Sequence, residues 1–297
     1  MANEFNNATG TGVGSGADLQ GISGMTAGAK RPMSALTERS DAMAIEIEQF
    51  MCRDDNFGIL MRDPETGDVA LVDAPQEAPI LAAIERTGWT PKLLLITHHH
   101  ADHVEANLAL KKRFGLKIVG PEAEQEKIPG IDETVREGST IAFGNQEIEV
   151  IETPGHTAGH VSYYLPQSGV AFTADTLFAL GCGRLFEAPP PVMYESLKKL
   201  SDLPPETVVY CGHEYTLANA RFALTIDPDN KVLQMRTQKI EALRADGKPT
   251  LPTTIGEELA TNPFLRWGDP SIRKHLGMET ASSAEVFAEI RKRKDNF

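Results

Sequence analysis

Hydrophobic residues between residue 45 and about residue 211 fall into short runs that are separated by turn-forming residues, such as the Asp-Pro-Glu-Thr-Gly stretch at 63–67. Runs of roughly four to eight residues with such boundaries are typical of β-strands. The run 93–96 is apolar throughout, which predicts a strand buried on both faces. The whole pattern predicts strands over residues 45–51, 57–61, 69–72, 93–96, 116–119, 148–152, 161–165, 170–173 and 207–211.

Other stretches have the spacing of amphipathic helices. They are residues 75–87, 102–114 and 193–200, followed by 218–224, 229–245, 255–261 and 284–293. Clustered strands with helices between them favour an α/β protein in which two sheets pack face to face with helices outside. Because no strand is predicted after Tyr215, we expect a mixed α/β domain over 45–215 and a helical domain over 216–297.

The first 44 residues differ from the rest in composition. They are rich in Gly, Ala, Ser, Thr and Asn and contain few large apolar side chains. Such a segment cannot bury enough surface to offset the entropy lost on ordering, so we predict a flexible N-terminal tail over 1–44. The glycine-rich run at 10–16 resembles a phosphate-binding loop only superficially, because no strand precedes it and no helix pattern follows.

Composition and charge limit the function classes. The chain has 297 residues, of which 41% are hydrophobic and 24% charged, and a formal net charge of −13. This charge disfavours phosphate backbones and anionic headgroups, so we expect neither nucleic acid nor a membrane as partner. No apolar run approaches the roughly 20 residues of a membrane span, and no secretion signal is evident. Three isolated cysteines, Cys52, Cys182 and Cys211, suit a reducing compartment, so we predict a cytoplasmic protein.

Four of the eight histidines lie within six residues, directly after the apolar run 93–96. Alternation along an extended backbone places His98 and His100 on one side. Where strand gives way to helix, Asp102 and His103 can turn toward the same place. Imidazole and carboxylate ligands without thiolate suit Zn, Fe or Mn, so this segment predicts metal binding.

Three later segments have the same form, a ligand-type side chain in a turn just after an apolar run: they present His156, Asp175 and His213. Loops at strand ends are where a rigid scaffold presents chemistry. With the first cluster they supply five histidines and two aspartates, enough for two metal ions that share one carboxylate. The remaining histidines are expected to be packed or hydrogen-bonded residues: His99, His160 and His275. For His160, orienting a ligand is an alternative role.

The ligand pattern resembles that of the metallo-β-lactamase superfamily, and further motifs resemble those of glyoxalase II, the hydroxyacylglutathione hydrolase family. The superfamily pattern is Thr-His-x-His-x-Asp-His at 97–103, followed by a distant His, Asp and His. The family-specific stretches are Gly-Cys-Gly-Arg-Leu-Phe-Glu (181–187), His-Glu-Tyr-Thr (213–216), Asn-Pro-Phe-Leu-Arg (262–266) and the C-terminal segment 291–297. The resemblance covers residue 45 to the end and implies an αββα four-layer sandwich with a C-terminal helical, substrate-binding domain.

The resemblance also implies the role of each site residue. The implied ligands of the first metal ion are His98, His100 and His156. Those of the second are Asp102, His103 and His213, with Asp175 bridging the two ions. The implied cofactors are two divalent metal ions, Zn first and Fe or Mn as alternatives. Substrate contacts are implied for Arg184, Phe186, Tyr215 and Arg266, since a guanidinium binds a glutathione carboxylate well. Ordinary surface charges are the alternative for the arginines, and a core aromatic for the tyrosine.

The sequence departs from the family pattern at four places. Glu105 and Ala106 stand where two glycines are common, and Ala174 where one glycine is usual. The run Ala-Pro-Pro-Pro at 188–191 replaces Gly-Thr, and a basic residue common soon after Arg266 is not evident in Trp-Gly-Asp at 267–269. These departures put acyl-group and thiol specificity in doubt and leave the metal ligands intact.

The implied reaction is hydrolysis of the thioester of S-D-lactoylglutathione, or another S-2-hydroxyacylglutathione, to glutathione and D-lactate in methylglyoxal detoxification. A hydroxide that bridges the two metal ions is expected to attack the carbonyl, and Asp102 is expected to help orient it. The alternatives are another enzyme of the superfamily (a lactonase, a β-lactamase or a persulfide dioxygenase) or a metal-binding module without turnover. The iron-dependent dioxygenases do not use the second ligand set, which is complete here. We expect a monomer that binds a small-molecule glutathione thioester.

Overall fold

Two six-stranded sheets form the centre of the protein in a computed structural model that describes residues 44–297. The predicted tail and the glycine-rich run at 10–16 therefore lie outside the described residues, apart from residue 44 itself. The first sheet has the spatial order β1 (Glu46–Cys52), β2 (Asn56–Arg62), β3 (Val69–Val72), β4 (Leu93–Leu95), β5 (Lys117–Pro121) and β6 (Glu133–Val135). Strands β1 to β3 pair antiparallel, whereas β3 to β6 pair parallel.

The second sheet contains β7 (Thr140–Phe143), β8 (Gln146–Glu152), β9 (Val161–Leu165), β10 (Val170–Ala174), β13 (Val208–Cys211) and β14 (Thr253–Thr254). Its spatial order is β14-β13-β10-β9-β8-β7, and β10 and β13 pair parallel. A separate ribbon joins β11 (Leu177–Phe178) to β12 (Gly181–Cys182). This ribbon lies between Asp175 and Arg184 in the chain, so it connects the predicted metal and substrate residues.

Helices flank both sheets. They are α1 (Glu77–Thr87), α2 (Ala101–Val104), α3 (Asn107–Phe114), α4 (Pro190–Ser201), α5 (Thr216–Ile226), α6 (Lys231–Ala245), α7 (Ile255–Thr261), α8 (Pro270–Leu276) and α9 (Ser283–Asp295), with a 3-10 helix at Glu122–Lys127. Among residues 44–297, none of the helices has both the length and the apolar character needed to cross a membrane.

Alternation along the strands assigns the side chains to layers. On β2, Ile59 and Met61 pack between the two sheets, whereas Leu60 packs against the outer helices. On β4, Leu95 faces inward and Leu94 outward. Because successive strand residues point to opposite faces, two buried faces require apolar residues at every position, which explains the continuous apolar runs. The result is helix, sheet, sheet, helix, and the predicted αββα sandwich is confirmed.

Two element predictions were wrong. The helix predicted over 102–114 is two helices, because the helical hydrogen bonding is interrupted at Ala106, whose N–H donates to the carbonyl of Ala74. The expectation that strands stop after Tyr215 also fails, since β14 pairs with β13 through Thr254 and Val208. A two-residue strand has too few side chains to show a pattern of its own.

Candidate metal centre

The seven candidate ligands lie in four segments, each of which follows a strand. The loop after β4 carries His98 and His100 and continues into α2 with Asp102 and His103, and the loop after β8 carries His156. Asp175 follows β10 and His213 follows β13, and these two strands are parallel neighbours. Since parallel neighbours end at the same sheet edge, the local topology brings these two side chains together.

Three histidines form the first ligand group. One ring nitrogen from each of His98, His100 and His156 lies within 4.8 Å of the others. Nε2 of His156 lies 3.0 Å from Nδ1 of His100. Burial, and then the neighbouring His103, lowers the pKa of His98 well below its usual value, and burial also lowers those of His100 and His156. These imidazoles are therefore neutral at pH 7, as a metal ligand must be.

The second group has a different electrostatic environment. It joins Asp102, His103 and His213, again within 4.8 Å. Oδ2 of Asp102 lies 3.7 Å from Nε2 of His103 and 3.5 Å from Nε2 of His213. Burial works against a proton on His103, but Asp175 and Asp73 outweigh it and raise the pKa to about 9. A metal ion bound at this group would therefore displace the proton that the His103 ring carries.

Asp175 contacts both groups. Its Oδ2 lies 3.2 Å from Nε2 of His156, while Oδ1 lies 3.5 Å from Nε2 of His103 and 3.4 Å from Nε2 of His213. Burial works against its charge, yet His103 and His213 hold the pKa of this carboxyl far below its usual value. A buried carboxylate with each oxygen facing a different group has the geometry of a shared ligand.

Unpaired buried atoms test whether this donor set fits metal ions. Within the described part of the chain, three buried ligand atoms have no hydrogen-bond partner: Nε2 of His98, Nε2 of His103 and Oδ1 of Asp175. Leaving such a group unpaired typically costs about 1–3 kcal/mol. These three residues also form a group whose ligand atoms lie within 4.8 Å. Bound cations would pair all three atoms, so the residues fit the predicted metal ions.

Hydrogen bonds behind the ligands fix their orientation. Asp73 accepts from the backbone and hydroxyl of Thr97 and lies 2.8 Å from Nδ1 of His103. Asp55 lies 2.9 Å from Nδ1 of His213. The backbone N–H of Asp175 donates to Nε2 of His160. His160 thus contacts a candidate ligand, as expected from its alternative role of orienting one. Such partners fix the ring orientation of metal-ligating histidines.

Sequence reasoning missed Asp55 and Asp73 as partners of the ligands. A signal for Asp73 exists, because an aspartate directly after an apolar strand is unusual unless it is paired. Its φ of 55° places it in the left-handed region, which Asp tolerates better than most residues. The other histidines behave as predicted: His99 bonds to Glu124, and Nε2 of His275 lies 3.0 Å from the carbonyl of Thr225.

A cavity of about 500 Å³ opens beside the ligand groups. Three of the four predicted substrate residues line it: Arg184, Phe186 and Tyr215. The Phe186 ring lies edge-on to His156, with centroids 5.2 Å apart, and is 62% exposed. The Tyr215 ring stacks on His213 at 4.7 Å with an interplanar angle of 6°. An exposed aromatic ring beside the ligands is available to a substrate.

The structure does not bring Arg266 to this cavity. Its guanidinium lies 3.3 Å from Asp227 and 2.5 Å from Asp269, in a separate surface depression. Asp227 is buried and also accepts from the side chain of Asn230 at 2.8 Å, so Arg266 supplies the charged partner of a buried carboxylate. In this structure the Arg266 side chain does not line the cavity that the motif resemblance implies for it.

Two basic residues that the sequence analysis did not assign occupy the cavity wall instead. They are Arg291 and Lys294, both on α9, and Asn219 of α5 lies beside them. Arg291 donates to the carbonyl of Cys182 at 3.0 Å. Burial, and then the neighbouring Arg291, lowers the pKa of Lys294. The cavity thus joins an anionic and imidazole end to a cationic end.

The sequence departures have physical consequences at this site. Ala174 adopts φ of 38°, a left-handed conformation in which glycine is favoured, so the substitution retains a strained turn before Asp175. Glu105 pairs with Arg53 at the surface. Pro190 begins α4, where the missing N–H of proline causes no loss.

Comparison with known proteins shows which families this chain resembles. Residues 59–213 match the family profile described as the metallo-beta-lactamase superfamily, and residues 214–297 match the profile described as the hydroxyacylglutathione hydrolase C-terminus. The chain is 76% identical over 255 residues to a hydroxyacylglutathione hydrolase of Mesorhizobium japonicum, covering 86% of this chain and 100% of the relative. It is 60% identical over 253 residues to one of Brucella ovis, covering 85% and 98%.

Solved structures show the same fold. ETHE1 from Myxococcus xanthus has a TM-score of 0.61 and 26% identity over 83% of this chain and 90% of that chain. TTHA1623, in a di-iron-bound form, has a TM-score of 0.55 and 27% identity over 74% of this chain and 100% of that chain.

Proposed function

The chain belongs to the hydroxyacylglutathione hydrolase family of the metallo-β-lactamase superfamily, and we propose that it hydrolyses the thioester of an S-2-hydroxyacylglutathione. S-D-lactoylglutathione is the proposed substrate, and glutathione and D-lactate are the products, as in methylglyoxal detoxification. The observation that carries the proposal is a single cavity that is lined by five of the seven candidate ligands and, at its cationic end, by two arginines and a lysine.

The ligand set would hold two divalent cations, and we propose Zn, with Fe or Mn as alternatives. The first cation is assigned to His98, His100 and His156, and the second to Asp102, His103 and His213, with Asp175 shared. When bound, such cations polarise a carbonyl and lower the pKa of a coordinated water from about 15.7 to about 7. The di-iron form of TTHA1623 supports a centre of two ions in this fold.

The residues of this chain supply orientation and charge. Asp102, at the open side of the second group and one-third exposed, is suited to accept a hydrogen bond from the attacking water. Asn56 donates to Oδ2 of Asp102 at 3.0 Å and fixes that carboxylate. A thiolate leaves readily, so no strong general acid is required. Cys182 lines the cavity, but burial raises the pKa of its thiol to about 11, which makes it a poor nucleophile.

The cationic end is suited to the glutathione moiety. Glutathione carries two carboxylates, and Arg184 and Lys294 provide two cations in a protein whose formal net charge is −13. Arg291 also lines the cavity, but its guanidinium is paired with Asp295 at 2.7 Å. Phe178 and Tyr215, 5.4 Å apart between ring centroids, form an apolar wall between the two ends. The thioester would lie along this wall with its carbonyl at the ligand groups and its peptide at the cations.

A lactonase or β-lactamase activity, a persulfide dioxygenase activity, and a metal-binding module without turnover are the rival functions. The complete second ligand group disfavours a single-iron dioxygenase. A neutral lactone has no carboxylate for the basic side chains at the cationic end to bind. Localisation in the cytoplasm and a monomeric state remain predictions from the sequence. The three cysteines are free and buried, in keeping with a reducing compartment.

A substrate panel tests the proposal. Metal-loaded protein should release free thiol from S-D-lactoylglutathione and leave a lactone, a β-lactam and glutathione persulfide largely unchanged. The S-lactoyl thioester of N-acetylcysteamine provides a matched control, since it has the same acyl group and carries no carboxylate. Equal turnover of the two thioesters would remove the cationic end from the proposal, and no turnover of either would reject thioester hydrolysis.

A further inference from the structure

His99 lies between two glutamates on the side of the metal loop away from the ligand groups. The backbone N–H of His99 donates to Oε2 of Glu124 at 2.7 Å, and Nδ1 of its ring lies 2.8 Å from the same oxygen. Its other ring nitrogen, Nε2, lies 3.5 Å from Oε1 of Glu187. The residue therefore joins the loop after β4 to two other segments of the chain.

Both glutamates also bind the loop after β8, which carries His156. Oε1 of Glu124 accepts from the backbone N–H of Gly159 at 2.9 Å, and Oε2 of Glu187 accepts from that of Ala158 at 2.8 Å. Two consecutive backbone amides therefore donate to two different carboxylates. A side chain at Gly159 would meet Cγ of Glu124 at 2.6 Å, so this packing leaves no free space.

Glu187 directly follows the substrate segment that contains Arg184 and Phe186. Upstream, the carbonyl of Arg184 lies 2.9 Å from Nδ1 of His156, so the segment is attached to a predicted ligand at one end. Downstream, Pro189 and Pro190 stiffen the chain as it enters α4. Leu185 packs against the core inside the segment, and Glu187 attaches its downstream end, where Lys127 of the 3-10 helix contributes a contact at 3.4 Å.

We propose that His99, Glu124 and Glu187 form a loop clamp that positions Phe186 and Arg184 over the metal centre and thereby sets affinity for the glutathione thioester. Phe186 lies edge-on to His100 and His156 at 5.8 and 5.2 Å between ring centroids. Since the Phe186 side chain is largely exposed, its position depends on the backbone that carries it. Glu187 is a positioning residue in this account, and the inference rests on the proposed thioester hydrolysis.

Replacing Glu187 separates positioning from chemistry. In metal-loaded protein, Glu187→Ala should raise KM for S-D-lactoylglutathione about five- to tenfold, the effect of losing one hydrogen-bonded restraint, with kcat within about twofold. Glu187→Gln keeps an oxygen that accepts from Ala158, so it should restore most of the wild-type KM. Glu195→Ala is the matched control, because its carboxylate is 64% exposed and lies 3.8 Å from Lys198 at the surface.

Three results would overturn the clamp. One is a KM in Glu187→Ala equal to that of the wild type and of Glu195→Ala. Another is a fall in kcat and metal content with no change in KM, which would assign Glu187 to the metal centre. The third is a metal count of three per chain that drops to two in the variant, since His99, Glu124 and Glu187 also have ligand atoms within 4.8 Å. Wild-type turnover is the prerequisite, and its absence would reject the proposed function instead.

Discussion

Oδ2 of Asp73 lies 2.8 Å from Nδ1 of His103, while the other ring nitrogen of His103 faces the predicted ligands Asp102 and Asp175. Asp73 is itself held by two hydrogen bonds from Thr97, at the start of the metal loop. The pair therefore fixes both the orientation of the ring and the nitrogen that is available to a cation.

We predict that Asp73→Asn weakens binding of the second cation about 10- to 100-fold and leaves the first largely unaffected. An Asn amide at this position no longer favours a His103 ring whose Nδ1 carries the proton and whose Nε2 is available to the cation. Metal titration against a competing chelator measures both affinities. Asp68→Asn is the control, since its half-exposed carboxylate lies 3.9 Å from Lys92 at the surface. Wild-type affinity for both cations in Asp73→Asn would show that the pair is dispensable.

The two ligand groups should differ in their dependence on pH. In the metal-free protein the pKa of His103 is raised to about 9, so below that pH a cation must displace a proton. Apparent affinity for the second cation should then fall about tenfold for each pH unit below 9. The pKa of His98 is lowered, so the first cation should show little change between pH 9 and 7. Zn titrations at pH 7, 8 and 9 test this, and parallel curves for the two cations would contradict it.

Lys294 tests the cationic end of the cavity. We predict that Lys294→Met raises KM for S-D-lactoylglutathione about tenfold with kcat within twofold, because a carboxylate partner is lost and the reacting end is untouched. Methionine keeps the apolar packing against Phe222 and Phe297, over whose rings Lys294 lies at 5.1 Å. Lys292→Met removes the same charge from a side chain that is 76% exposed. The same KM in both variants would exclude Lys294 from the substrate site.

Arg266 should show the opposite behaviour. Arg266→Ala is expected to leave KM within twofold of the wild type, since the side chain does not line the cavity. It should lower the free energy of unfolding by about 1–3 kcal/mol, because buried Asp227 loses its charged partner. Urea unfolding followed by circular dichroism and steady-state kinetics give the two numbers. A raised KM with unchanged stability would restore the contact implied by the motif.

The fold was predictable where burial imposes a pattern on every residue. The runs that became β2 and β4 are apolar on both faces, and they were identified within two residues. Strand β6 was missed because two of its three residues are exposed, so its sequence carries little hydrophobic signal. The break at Glu105 and Ala106 was missed because both residues favour helices, and tertiary contacts override that preference.

The site was predictable to a different degree at its two ends. Metal ligands have a narrow choice of side chain and spacing, which made His98 and Asp175 recognisable. A carboxylate can be bound from many backbone positions, so a motif does not fix which arginine reaches it. The sequence contained a signal that the basic residues of α9 reach the cavity. Arg291 and Lys294 follow buried Phe287 and Ile290 by four residues each, so they continue the apolar face of the helix.

Our proposal requires seven side chains to hold two cations on which thioester hydrolysis depends. Metal-free protein can be titrated with Zn while free-thiol release from S-D-lactoylglutathione is measured at each step. We expect no activity at the start, a maximum at two equivalents, and neither binding nor activity in Asp175→Ala. Full activity without metal, or two bound equivalents without thiol release, would refute the two-metal mechanism.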